Sequence, residues 1–363
     1  MSLLHCYHAR DTRPMGHEQE AVLRPQQRIA PVLAFLCALS TGALAHNKTD
    51  AVMLYNGDRI TGEIKAVTNG ILELSTDAMG TLHIEWQEVA SVKSRYHYDI
   101  RLADGNRHFG SFAAARRVGQ LAIAAAGETS HFDLLQVVEV RPVEDSFLKR
   151  LDVYLSAGYS FTKSSDVSQT AFNTTMSYED ENARNEFSGR ATISDNGDDT
   201  TSSSRLDLNR NAWTDRSRAF RTMFANYETN DELALDHRLG VGAGLGRYFI
   251  DTHRNRLTSA TGLQVITEKS AGDGEEQNME LFINTSYAAW HYNTPQLEVD
   301  ISFNLYPSLT DRGRVRTNSN VRVRWEIVED LYFDVTGYGS SDNGADSSGE
   351  IDYGITTGVG WKY

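Results

Sequence analysis

The chain has 363 residues, of which 23% are charged and 40% hydrophobic, and a formal net charge of −14. No apolar run reaches the ~18 to 20 residues of a membrane-spanning helix, and the acidic balance argues against nucleic acid, whose phosphates need a basic face. A transmembrane barrel stays open, because its strands show only alternate residues to lipid and pass a hydropathy scan as polar.

In chain order, residues 1–45 read as an export signal peptide. Arg24 and Arg28 supply a positive flank, residues 29–39 an apolar run, and Ala43-Leu44-Ala45 a cleavage site before His46. A start at Met15 rather than Met1 gives the more ordinary signal, and a short buried helix is the competing reading. The bulky Leu36 before Cys37 argues against lipoprotein processing. Cys6 and Cys37 are the chain's two cysteines and both precede the cut, so the mature chain has no thiol chemistry and no disulfide.

Residues 48–143 contain one pattern twice, 48 residues apart. DAVMLYNGDRITG (50–62) matches YDIRLADGNRHFG (98–110), and IEWQEVASV (84–92) matches FDLLQVVEV (132–140) without a gap. Asn-Gly and Asp-Gly accept the positive φ of tight turns, so each copy should open on a β-hairpin. Units of this size are too small to bury a secure core alone. They should fold as a pair of small SH3-like or Sm-like barrels, or as one duplicated barrel, in a periplasmic interaction module. Asp58, Arg59 and Asp104 read as turn residues.

Residues 147–363 break into period-two segments. Val153, Leu155, Ala157, Tyr159 and Phe161 alternate with Asp152, Ser156 and Ser160, and Val321, Val323, Trp325 and Ile327 with Arg322, Arg324 and Glu326. Such alternation means half-exposed strands. Twelve are expected, near 150–161, 167–178, 183–194, 203–213, 218–228, 235–249, 255–268, 277–292, 297–308, 314–328, 331–340 and 350–363. The fold class is therefore all-β: an antiparallel transmembrane β-barrel of about twelve strands behind the small duplicated module. Aromatic residues near strand ends (Tyr159 and Phe161, Tyr287, Trp290 and Tyr292, Tyr332 and Phe333) suit interfacial girdles. The last strand ends on alternating Val359, Trp361 and Tyr363, the pattern that barrel-assembly machinery recognises in outer-membrane proteins. With an even strand count and the module in the periplasm, the longer connections, such as 195–202, 269–276 and 341–349, face outward. Their acids are read as solvated loop residues, not as a calcium site.

Arg314, Arg316, Arg322 and Arg324 share the polar face of the tenth strand, where lipid exposure would cost ~2 to 4 kcal/mol each, so they are lumen-facing candidates. They would either line an anion-favouring pore or pair with Glu298, Asp300 and Asp334 in a closed interior. Gly240, Gly242, Gly244 and Gly246 either leave space on the sixth strand or let a bulky residue pack close. Asp236 and His237 point to opposite faces of a strand and cannot form a dyad. No catalytic, metal or cofactor set is found, so the chain reads as a non-enzyme.

These motifs, with LYNGDRITG (54–62) and the aromatic terminus, make the chain resemble the YdiY-like family of salt-induced outer-membrane proteins. The resemblance covers 147–363 and implies an outer-membrane location, outer-membrane lipid and assembly machinery as partners, and no catalytic residues to carry over. In this chain the front element is doubled, and its second copy departs from the motif at His108 and Phe109. The functional expectation is an envelope barrel, as a narrow channel or a non-conducting stress-response barrel, whose module engages a periplasmic protein or other envelope component. An outer-membrane hydrolase is the weaker alternative.

Overall fold

The computed structural model describes residues 48–143, 147–162, 167–180, 182–197, 199–214, 218–231, 235–270, 274–293, 295–328, 330–343 and 351–361. The signal segment, both cysteines and Tyr363 lie outside them.

Nine strands build the front module: β1 (Asp50–Leu54), β2 (Arg59–Thr68), β3 (Ile71–Ser75), β4 (Thr81–Glu85), β5 (Val89–Leu102), β6 (Arg107–Ala113), β7 (Gln120–Ala125), β8 (Glu128–Asp133) and β9 (Val137–Pro142). The sequence repeat is a structural repeat, down to single hydrogen bonds. Leu54 N–H donates to Asp58 O and Leu102 N–H to Asn106 O; Tyr55 N–H donates to Glu88 O and Ala103 N–H to Gln136 O. Gly57 and Gly105 hold φ of +96° and +90° at the tips of these turns, as a tight turn requires. In the same turns Asn56 accepts from Asp58 N–H, and Asp104 from Asn106 N–H, so the polar side chains serve the backbone.

A short 3-10 turn closes each copy, at Trp86–Glu88 and Leu134–Gln136. The copies share β5. Its first half pairs with β1 and its second half with β9, and β9 also touches β2, so the sheet wraps on itself. One core then serves both copies. Val52, Leu72, Trp86, Tyr98, Ile100, Leu121 and Val140 are all buried in it, and Trp86 donates its indole N–H to Leu134 O at 2.7 Å across the repeat. Each fully buried large side chain contributes roughly 1.5–3 kcal/mol, which neither copy could collect alone.

The second sheet has twelve strands: β10 (Leu151–Thr162), β11 (Val167–Glu179), β12 (Ala183–Asp195), β13 (Thr200–Trp213), β14 (Ala219–Asn230), β15 (Leu235–Asp251), β16 (Asn255–Ser270), β17 (Glu275–His291), β18 (Leu297–Pro307), β19 (Val315–Val328), β20 (Leu331–Asp342) and β21 (Ile351–Trp361). Each pairs antiparallel with the next in sequence order. Several strands run further into the loops than their alternation suggested. The connection expected over 195–202 shrinks to 196–199, because Asp195 and Asn196 accept backbone N–H groups of Gly197 and Asp199 and tighten the turn.

Register fixes the two faces. Val153, Met176, Phe187, Leu208, Ala225, Val241, Val265 and Met279 stand opposite one another in one unbroken apolar row over eight strands. These side chains face out, with Leu208 and Val241 more than half exposed, as are Met223 and Leu245 elsewhere on the same face. The neighbouring row runs Asn209, Phe224, Gly242, Gln264 and Glu280, on the enclosed face. Charges on the outward face (Asp195, Arg210, Arg221, Arg247, Lys269 and Glu275) sit near strand ends and leave the middle band uncharged.

The hydrogen-bonded path ends at β10 and β21, each paired on one side. A closed barrel would join them; among the described residues that seam carries no backbone rung. Both edge strands therefore keep a row of backbone donors and acceptors free, and β21 is the most exposed part of the sheet, with Tyr353 at 75%.

Candidate functional site

The enclosed face of the twelve-stranded sheet is filled differently at its two ends. Toward the module, the odd or even positions that face inward bring aromatic rings together. Trp213 meets Phe220 edge-on at 6.4 Å, Phe220 lies 5.3 Å from Tyr248, and Phe224 meets Phe282 edge-on at 5.2 Å. Phe282 is fully buried. The glycine row of β15 supports this layer. A side chain at Gly242 would strike Phe224, one at Gly244 the Phe282 ring, and one at Gly246 Phe220. The close-packing reading of those glycines is the one the structure takes: space left on one strand is occupied by rings from β14 and β17.

Arg314, just ahead of β19, and Arg316, Arg322 and Arg324 within it share the inward face but not one fate. Arg316 clamps Glu280 through two bonds of 2.9 and 2.7 Å, and Gln264 donates to the same carboxylate at 2.6 Å. Arg314 clamps Asp342 at 3.0 and 2.7 Å. Arg324 reaches Asp334 at 2.8 Å. Arg322 is exposed and has no ion-pair partner among the described residues. Of the three acids expected to pair with this ladder, Asp334 does so. Glu298 and Asp300 stand opposite Arg324 and Arg322 in register yet form no ion pair with them among the described residues. Glu280 was missed because it lies two strands away, across β18, where only curvature brings it within reach. Its place between Asn278 and Phe282 on the inward face of β17 was the available signal.

The module closes on the rim at the end where β11, β13, β15 and β17 finish. Residues 46–363 pack as one unit, and the contacts come mainly from the second copy. Arg101 pairs with Glu139 at 2.5 Å and with Asp251 of β15, and stacks over Tyr248. Arg107 pairs with Asp99 and lies 5.2 Å from the Trp213 ring. Arg141 pairs with Glu139 at 2.7 Å and Glu179 of β11 at 3.2 Å. Ala103 O, at the turn of the second copy, accepts from Arg218 at 2.5 Å. The first copy adds acceptors: the backbone Asn69 O takes the Tyr292 hydroxyl at 2.9 Å, and the Gln87 side-chain Oε1 takes Arg254 at 3.0 Å.

Burial alone would raise the Glu139 carboxyl, but Arg101, then Arg141 and Arg256, hold it well below the usual carboxylate range. Burial likewise opposes the charge on Arg101, and Glu139 and Asp251 reverse that effect. Burial, then Glu298 and Glu85, push the Tyr292 phenol up to about 12.

This rim corrects the girdle reading of two aromatics. Trp290 is buried, with its indole N–H on His253 O at 2.5 Å, and Tyr292 bonds the module. Both serve docking, because the strand-end position that suits a headgroup also suits a neighbouring domain. Tyr159 and Phe161 do face outward. On β21, Val359 and Trp361 are outward and exposed. Asp236 is engaged by Lys269 at 3.1 Å, not by His237.

Comparison with known families gives a match over more than half of the chain. The profile described as Protein of unknown function, DUF481, covers residues 155–362. The chain belongs to the DUF481 family. The matched stretch begins within β10 and takes in the rest of the twelve-stranded sheet, leaving the duplicated module outside it. No curated protein matches the chain. Membership in DUF481 agrees with a β-barrel protein.

Proposed function

We propose that this DUF481 protein is an outer-membrane β-barrel of the cell envelope, non-conducting in this conformation, that holds its front module against the periplasmic rim. One observation carries the reading: the outward face is a continuous apolar band over many strands, with charges confined to the strand ends. Water-soluble proteins rarely expose an apolar patch beyond a few hundred Å², and charge at mid-depth on a lipid face is costly. Lipid cannot satisfy free backbone groups, so β10 and β21 close on one another when the sheet is in a bilayer. Val359, Trp361 and Tyr363 serve as the signal for the assembly machinery, and the export signal of residues 1–45 precedes them. The salt-induced, YdiY-like character is part of the same proposal.

The non-conducting reading is favoured over the narrow channel by the layer of Phe220, Phe224 and Phe282, by the Arg316–Glu280 clamp, and by the module on the rim. Arg314, Arg316 and Arg324 are engaged by carboxylates and are poorly disposed to attract a passing anion. Fractionation with heat-modifiability tests the location. An outer-membrane fraction whose gel mobility shifts on boiling is expected, and a soluble protein without a shift overturns the barrel. Planar bilayers test the lumen. The intact chain should give no conductance steps and Phe282→Ala should introduce them; steady conductance of the unaltered chain would restore the channel.

A further inference from the structure

Beyond the aromatic layer, on the side away from the module, the enclosed face widens into a polar cavity of about 230 Å³ between β13 and β19. We propose that this cavity binds a small neutral polyhydroxylated molecule of the size of one sugar ring. The inference rests on the barrel reading above, because it takes this face to be a lumen.

The argument turns on which polar groups in the cavity already have partners. Its charges do. Arg205 bonds Asp207 at 3.1 Å and Glu228 at 3.4 Å; Arg238 bonds Glu268 at 2.8 Å and Glu228 at 3.5 Å; Arg316 is held by Glu280. Most of its neutral groups do not, Gln264 on Glu280 being the exception. Among the described residues, the amides of Asn209, Asn226, Asn284 and Asn318 and the hydroxyl of Tyr306 have no side-chain hydrogen bond to protein, and the Asn284 Oδ1 is both buried and unpartnered. An anion would have to draw a guanidinium from its carboxylate, and a cation a carboxylate from its guanidinium, each leaving a half-buried charge unpaired. A hydroxyl asks for neither. Each amide offers donors and an acceptor together, and each sugar hydroxyl is likewise donor and acceptor.

Shape agrees with chemistry. The Phe224 ring lies in the lining and gives an apolar face for ring C–H groups, and Arg316 lies over the Tyr306 ring at 5.2 Å and holds that phenol in place. The volume falls below the roughly 300–1,000 Å³ of pockets for drug-sized ligands, which limits the occupant to one small ring. These residues do not form a set in the sequence, since they come from seven strands and meet only through the curvature of the sheet.

The test uses the full chain in detergent, with D-glucose, D-galactose and myo-inositol as probes, inorganic phosphate as the anionic comparison, and calorimetric titration as the readout. At least one polyol should bind saturably, at lower concentration than phosphate. Asn226→Ala and Asn318→Ala, which remove an amide without adding bulk, should each weaken it by about tenfold or more while the heat-dependent gel shift persists. The proposal is overturned if no polyol saturates by about 10 mM, if phosphate binds more tightly, or if binding survives both substitutions. Loss of the gel shift in the unaltered chain would instead strike the barrel reading, so the two failures are distinct.

Discussion

Replacing Arg101 with methionine isolates what the second copy of the repeat adds. Its counterpart 48 residues earlier is Met53, so the substitution makes the second copy resemble the first at the position that grips the rim. The Arg101 side chain is 10% exposed, against 14% for Glu139 and 2% for Asp251. Orphaning a buried ion pair costs about 3–5 kcal/mol. Here each acid keeps a second arginine: Arg141 at 2.7 Å from Glu139, and Arg256 at 3.0 Å from Asp251. The cost therefore falls at the low end, about 3 kcal/mol, which is about a hundredfold in the opening equilibrium of the rim. Hydrogen exchange of the detergent-solubilised chain reads this locally. Amides of β6 and β9 should exchange about a hundredfold faster, with β2 and β3 unaffected. Adding Asp251→Leu should recover little of the loss, because Arg256 already engages Asp251 and would itself lose its partner. Unchanged protection in β9 would refute the clamp. Equal loss in β2 and β3 would also refute it, because the module would then have unfolded and not undocked.

Two further outcomes follow from the same geometry. The Glu139 carboxyl is held well below its ordinary value, so its contribution is fully present above the unfolded pKa, about 4.3, and is lost only as pH falls through the depressed folded value. Exchange protection in β9, corrected for intrinsic rates, should match at pH 7 and pH 5; a loss setting in near pH 5 contradicts the arginine clamp. For the seam, single cysteines placed in pairs along β10 and β21, such as Leu155→Cys with Thr357→Cys, meet a background whose natural cysteines, Cys6 and Cys37, both lie before residue 45. Oxidation in membranes should give a compact monomer on gels for at least one pair, whereas disulfide-linked dimers alone would mean that the edges pair between copies.

The sequence by itself determined the strands, their order and their faces. A strand repeats every two residues, so each run of alternation names its own inward and outward side chains, and Asn-Gly, Asp-Gly and Asx turns are local chemistry. The repeat was equally legible, because two copies of one pattern need no tertiary information to be seen. His108 and Phe109 already marked the second copy as divergent. Only the structure shows that this copy carries the docking arginines Arg101, Arg107 and Arg141, where the first has Met53, Arg59 and Lys93. The tertiary structure alone decided what meets across the sheet: Glu280 for Arg316, rings from β14 and β17 over the glycines of β15, and Trp290 and Tyr292 turned toward the module. Each depends on how sharply twelve strands curl and on which strand is brought opposite which, and a period of two carries no information about curvature.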